Sequence, residues 1–433
     1  MFNLARGSLY EEIKLERNGT AVSLKGRTVS FSYYESLLSP YVTAHLTYID
    51  VGNGIKGTET DTQERFGTIL RSLPVEGRGD ENISFKITNE LGSLDFMRYP
   101  LKIRSAKPIS QDSTREVVSL SIVSDAALRN ENTRIYEKYY NSISNSVSSI
   151  LTNKLKVPSS RINVDETKNS LAFDGKSRRP FDAILFCAKQ SIPLDGCPGF
   201  LFWENQSGFN FRSIDNIISS GVSNKNLPVY RYYGVAKTGL TDQQNNFRIL
   251  SSPSYSQNQD VLKALRGGIY RTKNVAWNNN NNQYEELYMT IDKAGLKTLG
   301  DKPKYDAKFT ANNAFTQTFK FYIDSGNNEA GISSAINNNP LEHFAKAAIR
   351  YNLFATQVMN ITVAANPSLK AGDVIECEFE KITLSNKSEG AADEHQSGKY
   401  VILHLCHSFT PTRSFTSLTL VRDTYGLYRS GNL

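Results

Sequence analysis

Residues 404–407 of this 433-residue chain read His-Leu-Cys-His. Imidazole and thiolate are zinc ligands, and a closed zinc site needs four of them converging as a tetrahedron. On a strand His404 and Cys406 share one face, while His407 points to the other. Cys377, on a neighbouring predicted strand, adds a further thiol without completing the set. The same residues read more readily as ordinary strand positions, so no metal or other cofactor is assigned. Glu376, Glu378 and Glu380 alternate with Cys377 and Phe379. Two carboxylates can run glycoside hydrolysis. Three at period two, opposite apolar residues, also make a solvated sheet face. Trp203 and Glu204 sit at the turn of a predicted hairpin, but a catalytic Glu needs a second group and a pocket. Arg78-Gly79-Asp80 matches a receptor-binding tripeptide, yet its Gly-Asp already reads as a turn. HExxH, GxSxG and GxxxxGK[ST] patterns are missing from the sequence. No catalytic residue follows.

Charge excludes another class. The net charge of +7 is spread along the chain, and the densest basic cluster, Lys176 to Pro180 (KSRRP), is short and reads as a solvated loop. That argues against a DNA-binding protein. Cys187, Cys197, Cys377 and Cys406 lack CxxC spacing and are too sparse for a disulfide scaffold. The start, MFNLARGSLYEEIK, has no apolar signal core, and AILFCA is too short to cross a bilayer. The expectation is a protein folded in a cytoplasm, without membrane insertion.

The elements that must position these residues are mostly strands. Residues 1–128 alternate at Val42, Ala44, Leu46 and Tyr48, then at Ile83, Phe85 and Ile87, with turn signals between. Such spacing predicts a barrel or sandwich. Residues 129–228 change character. Tyr136, Tyr140, Ile143, Val147, Ile150, Leu151 and Leu155 fall at helical period, and PFDAILFCAKQ predicts a second helix with Pro180 in its first turn. A small α+β module is expected there. Residues 229–355 mix a short helix (DVLKALRGG), strands (IYRTKNVAW, and FTQTFKFYI from Phe315), an Asn278–Asn282 loop tip and a helix from Pro340. Part of this stretch is expected to join the last segment, 356–433, which returns to strands. Within it Ser385–Ser397 reads as a mobile linker. The predicted class is mainly β, with two related antiparallel barrels and an α+β insertion.

The hairpin Gly199–Asp215, GFLFWENQSGFNFRSID, is the densest apolar feature. Phe200 and Phe202 share one face, Leu201 and Trp203 the other, and Phe209 pairs with Phe211. With both faces apolar, the hairpin must be covered on both sides. A second signal is internal. Arg98–Asp125 and Lys399–Asp423 both run from a Tyr through an apolar strand and a Ser/Pro/Thr turn to a strand ending in Asp. Each follows a strand opened by Gly-Asp, at Gly79-Asp80 and Gly372-Asp373. Two related barrels in one chain would produce that echo.

The hairpin resembles that of the baseplate hub family of T-even-like contractile-tailed phages. Its Glu204, Gly208, Phe209, Phe211, Ser213, Ile214 and Asp215 stand at the motif positions, beside Trp203. YYESLLSPYVTAHLTYIDVGNG resembles the family's first barrel. Gly372, Gly398, Tyr400, Ile402, His404, Phe409 and Asp423 resemble its second. The resemblance implies a structural homotrimer in the virion's tail baseplate, assembled in the host cytoplasm. It would match a six-fold tail tube to a three-fold central spike, touch tube-initiator and other baseplate proteins, and pass DNA through its lumen. The chain stops soon after the second barrel, so the spike is expected to be a separate protein. Glu376, Glu378 and Glu380 facing that lumen would repel DNA. A hub of a non-viral injection system shares all of this. A tail-associated cell-wall-degrading enzyme is the reading from another class, and it requires an essential carboxylate.

Overall fold

The computed structural model describes residues 8–51, 77–233, 239–278, 282–302, 317–323, 340–381 and 392–424. It is mainly β, as expected. The first part holds β1 (Leu9–Arg17), β2 (Thr20–Ser23), β3 (Thr28–Ser36), β4 (Thr43–Val51), β5 (Asn82–Asn89), β6 (Gly92–Asp95), β7 (Leu101–Gln111) and β8 (Arg115–Val123), then α1 (Asp125–Asn132). The middle part holds β9 (Lys138–Tyr139), α2 (Ile143–Ser149), β10 (Ile162–Val164), β11 (Phe173–Asp174), α3 (Pro180–Gln190), the hairpin β12 (Phe200–Asn205) and β13 (Gly208–Ser213), and α4 (Ile214–Ser223). There follow β14 (Val229–Tyr232), α5 (Asp242–Asn246), β15 (Ser254–Gln257), α6 (Val261–Arg266), β16 (Arg271–Asn278), β17 (Gln283–Thr290), β18 (Gln317–Ile323) and α7 (Pro340–Phe354). The last part holds β19 (Gln357–Ala364), β20 (Val374–Phe379), β21 (Gly398–Phe409) and β22 (Ser414–Arg422).

The expected pair of barrels takes a different form. One 14-stranded sheet runs β15-β19-β22-β21-β3-β4-β8-β7-β5-β1-β2, with β20, β14 and β6 branching from it. Among the described residues no barrel closes on itself. The two parts are fused because β21 pairs antiparallel with β3, from His404 opposite Ser36 to Phe409 opposite Phe31. Inward residues of both parts, among them Phe31, Leu46, Phe85, Ile361, Tyr400 and Leu418, share one apolar core. Strand alternation put them there: β4 buries Ala44, Leu46 and Tyr48 and turns the residues between them outward.

The internal echo is present in the topology. The first part is ordered β4-β8-β7-β5 and the last β19-β22-β21-β20, every step antiparallel. Both hairpins bulge at the same place, between Ile103 and Ser105 and between Ile402 and His404. A bulge re-aims a strand, so its repetition in both hairpins makes the two halves bend alike. The Gly-Asp equivalence slips by one residue. Ile103 N–H donates to the Glu81 carbonyl (3.2 Å) and Ile402 N–H to the Asp373 carbonyl (2.9 Å). Glu81, not Asp80, therefore matches Asp373.

One helix expectation needs correction. The helix predicted from Tyr136 begins at Ile143, where the Ser142 hydroxyl caps it by accepting from Asn145 N–H. Tyr136 is exposed, and Tyr139 sits on β9, stacked on Phe173 of β11 (5.1 Å). Periodicity is a weak prior that pairing with another strand overrides. The Pro180 helix and the Pro340 helix stand as expected. Of the Asn278–Asn282 tip, 279–281 lie outside the described residues, as do Phe315 and 385–391 of the linker. The far end of that linker is anchored: Ser397 is buried, and its hydroxyl accepts from Phe379 N–H (3.0 Å).

Candidate functional site

The hairpin β12–β13 is covered on both faces, by two different cores. Phe200, Phe202, Phe209 and Phe211 pack with Val147, Phe181 and Ile184 of the middle part. Their rings meet closely, Phe200 and Phe211 at 4.9 Å between centroids. Trp203 turns the other way, into a cluster with Leu37 of the first part and Val374 and Val401 of the last. It is 1% exposed, so this indole packs inside its own chain. Its Nε1–H donates to the Ala371 carbonyl (3.0 Å). Gly372 follows, at φ +94°, and a Cβ there would lie 2.8 Å from Trp203 Cζ2. Only glycine meets both demands. Gly208, at φ +129°, is as constrained, since its Cβ would fall 2.2 Å from the Arg161 carbonyl oxygen. That close approach lets β10 pair in parallel beside β13.

Glu204 is not a turn residue at the surface. It lies within β12, 4% exposed, and its carboxylate accepts from Val42 N–H (3.1 Å) with Arg161 at 3.9 Å. A second carboxylate, Glu35, closes the junction from β3. It accepts from Gln206 N–H (2.5 Å), Ala371 N–H (2.7 Å) and the Tyr33 hydroxyl (2.9 Å). One buried side chain thus ties β3, the hairpin turn and the loop before β20. Burial pushes Glu35 up to about 8 against those hydrogen bonds, and Glu204 up to about 7 against Arg161.

This dictates a pH response. Unfolded, Glu35 titrates near its ordinary 4.5; folded, near 8. Between the two the folded chain holds the extra proton, so stability is full below the lower value and is lost as pH rises through the upper. The buried His407, depressed to about 4, and the lowered His343 and His404 act oppositely, but only below the ordinary histidine value of 6.5. From pH 6.5 to 8 the unfolding free energy, and with it the urea midpoint, should therefore fall, the free energy by up to about 1.4 kcal/mol per pH unit per retained proton. Glu35→Gln should flatten that slope. A midpoint that stays level or rises over this interval would contradict the assignment.

Two further motif residues meet at a residue the sequence did not flag. Arg350 on α7 is fully buried. Its Nε lies 3.2 Å from Asp215 Oδ1, and its Nη1 and Nη2 donate to Asp423 Oδ2 at 3.0 and 3.1 Å. Asp215 Oδ2 also accepts from Cys197 N–H (2.8 Å) and Lys297 N–H (3.2 Å), and Asp423 Oδ1 from Leu299 N–H (3.1 Å). Asp215 opens α4 rather than ending the hairpin strand. Burial raises it, and the guanidinium pulls it back.

The remaining motif residues lie farther along the sheet. Gly398, at φ +139°, starts β21 opposite Cys377. The Tyr400 hydroxyl donates to the Gln396 carbonyl (2.6 Å), and Arg422 covers its ring at 4.8 Å. His404 is half-buried beside Ser36 and Thr419. His407 is buried, its ring nitrogens on Thr416 Oγ1 (2.9 Å) and the Leu369 carbonyl (3.3 Å). These contacts make it a core residue. Glu378 pairs with Arg231 (2.6 Å) on the adjacent β14, so the acidic face is partly neutralised. Asp80 pairs with Arg17 (2.9 Å).

Glu35 had a readable signal, since Phe31, Tyr33 and Glu35 continue one inward alternation on β3. Arg350 adjoins Ile349 on the predicted helix face, but no spacing rule pairs it with Asp215 and Asp423.

This hydrogen-bonded junction sits in a fold shared with phage tail proteins. The 43 kDa tail protein of prophage MuSo2 from Shewanella oneidensis aligns over 96% of this chain and 100% of its own, with TM-score 0.51 and 9% identity. The tail protein of Neisseria meningitidis MC58 aligns over 95% and 96%, with TM-score 0.53 and 8% identity. The E. coli c3393 protein, a component of the type VI secretion system, aligns over 96% and 79%, with TM-score 0.45 and 12% identity. No family model and no curated protein matches the sequence.

Proposed function

We propose that the chain is a structural hub of a contractile phage tail. Residues 1–128 and 356–433 act as two tube-like modules, joined by strands from 229–355, and 129–228 is the α+β module that the hairpin binds to both. The observation that carries this is the tandem repeat within one sheet. Two modules of like topology present a duplicated surface, so three copies would offer six similar edges to a six-fold tube above and a three-fold spike below. The fold shared with tail proteins supports the same reading. In this reading the ring belongs to the virion's baseplate, and DNA passes its lumen unbound.

The buried carboxylates favour a mechanical role over catalysis. Glu204 is committed to Val42 and Arg161, and Glu35 to three donors, which leaves neither open to a substrate. The test is the particle that the purified chain forms: light scattering should give three copies, alone or with a spike protein. A strict monomer under all conditions would overturn the hub.

A further inference from the structure

Where the first part of the chain meets the middle part, a cavity of about 350 Å³ opens beside the hairpin. That volume suits a small molecule. Glu204 and Phe209 of the hairpin line it, and so does the start of α1 at Ser124, Asp125 and Ala126. Among the described residues five cationic side chains face it, Arg98, Lys102, Arg129, Lys156 and Arg161, against two acids, Asp125 and Glu204. Arg129 is spent on Asp125 (2.5 Å). Arg98, Lys102 and Lys156 pair with no carboxylate among the described residues. The cavity therefore carries an excess of positive charge.

Arg161 is the group that asks for a ligand. Its side chain is 11% exposed. The rings of Tyr99 and Phe96 lie 4.7 and 5.8 Å from its guanidinium carbon, which fixes the fork in place. Its Nη2 is buried and makes no hydrogen bond, since Glu204 Oε1 at 3.9 Å is too far to accept one. A buried charged donor left without an acceptor is costly, and such groups are rare unless something outside the chain satisfies them. The first turn of α1 adds partial positive charge, and the Ser124 side chain does not cap it.

We propose that this cavity binds a phosphate group, free or carried on a small monoester. A guanidinium fork and a helix N-terminus both suit a tetrahedral oxyanion, and Lys102 and Lys156 would complete its charge balance. The site is independent of whether copies of the chain form a ring. Glu204 is the one unpaired acid that opposes an anion there. Burial pushes it up to about 7, so near neutral pH its carboxyl is partly protonated, and Val42 N–H holds its Oε2.

The experiment titrates the full chain with inorganic phosphate, glucose 6-phosphate and glucose, read by calorimetry in a low-salt buffer free of other oxyanions. Saturable binding of one phosphate per chain is expected, with none of glucose, and the tighter of the two phosphates names the source. Lys102→Gln combined with Lys156→Gly should weaken binding about tenfold or more, as loss of charge-assisted hydrogen bonds does. The urea midpoint should barely move, because glycine accepts the φ of +59° at position 156. Glu204→Gln alone should tighten binding, an effect that a merely structural role would not produce; weakening there would contradict the site. Arg161→Gln, made together with Glu204→Gln so that neither charge is left alone, should abolish binding. If that double variant does not fold, the Lys102 and Lys156 pair decides. No saturation by either phosphate overturns the site. Binding that survives these changes is an adventitious ion only, and overturns it as well.

Discussion

Arg350→Ala should cost about 3–5 kcal/mol of folding stability, the range for removing one partner of a buried ion pair. The guanidinium is fully buried, and Asp215 and Asp423 are buried with it. Removing it leaves two carboxylates 0% exposed, each also held by backbone N–H groups, with no cation between them. Arg350→Lys should recover little, because a single ammonium cannot span both acids as the planar fork does. Adding Asp215→Asn and Asp423→Asn to Arg350→Met should recover much of the loss, since the charges then leave together. Urea unfolding followed by circular dichroism reads all three. A cost below about 1 kcal/mol for Arg350→Ala would mean that water reaches the site, as it does around exposed pairs.

Trp203→Ala should cost about 3–5 kcal/mol, as large-to-small changes of buried aromatics do. The indole fills the cluster where Leu37, Ile214, Val374 and Val401 meet, so its loss opens a cavity between all three parts of the chain. Trp203→Phe should cost less, but it removes the shorter of the two hydrogen bonds to the Ala371 carbonyl and leaves only that from Asn205 Nδ2–H (3.4 Å). Gly372→Val probes the same contact from the other side, forcing a Cβ to within 2.8 Å of the indole at a φ of +94° that valine resists. If Trp203→Ala and Gly372→Val both leave the urea midpoint unchanged, the hairpin is not the element that binds the parts together.

Local pattern made some of this legible and long-range pairing hid the rest. Alternation at Ala44, Leu46 and Tyr48 placed a strand and its inward face correctly, because burial on one side forces period two. The two-sided apolar hairpin implied two covering cores, and two exist. The repeat was visible as two similar hairpins. Their fusion through β21 and β3 was not, since no residue pattern states which edges meet across more than three hundred positions. The one-residue slip that equates Glu81 with Asp373 came from hydrogen-bond register, which a Gly-Asp match cannot supply. Glu204 looked like a turn acid because composition shows charge and not burial. Arg350 was silent for the same reason: its acids are brought to it by the fold.

Solution mass tests the central claim most directly. Multi-angle light scattering on the purified full chain, alone and with a spike protein, should return three times the mass of one chain. A trimer is what a tandem pair of modules needs to meet a six-fold tube on a three-fold axis. A chain that stays monomeric across concentration, salt and added spike would contradict the hub.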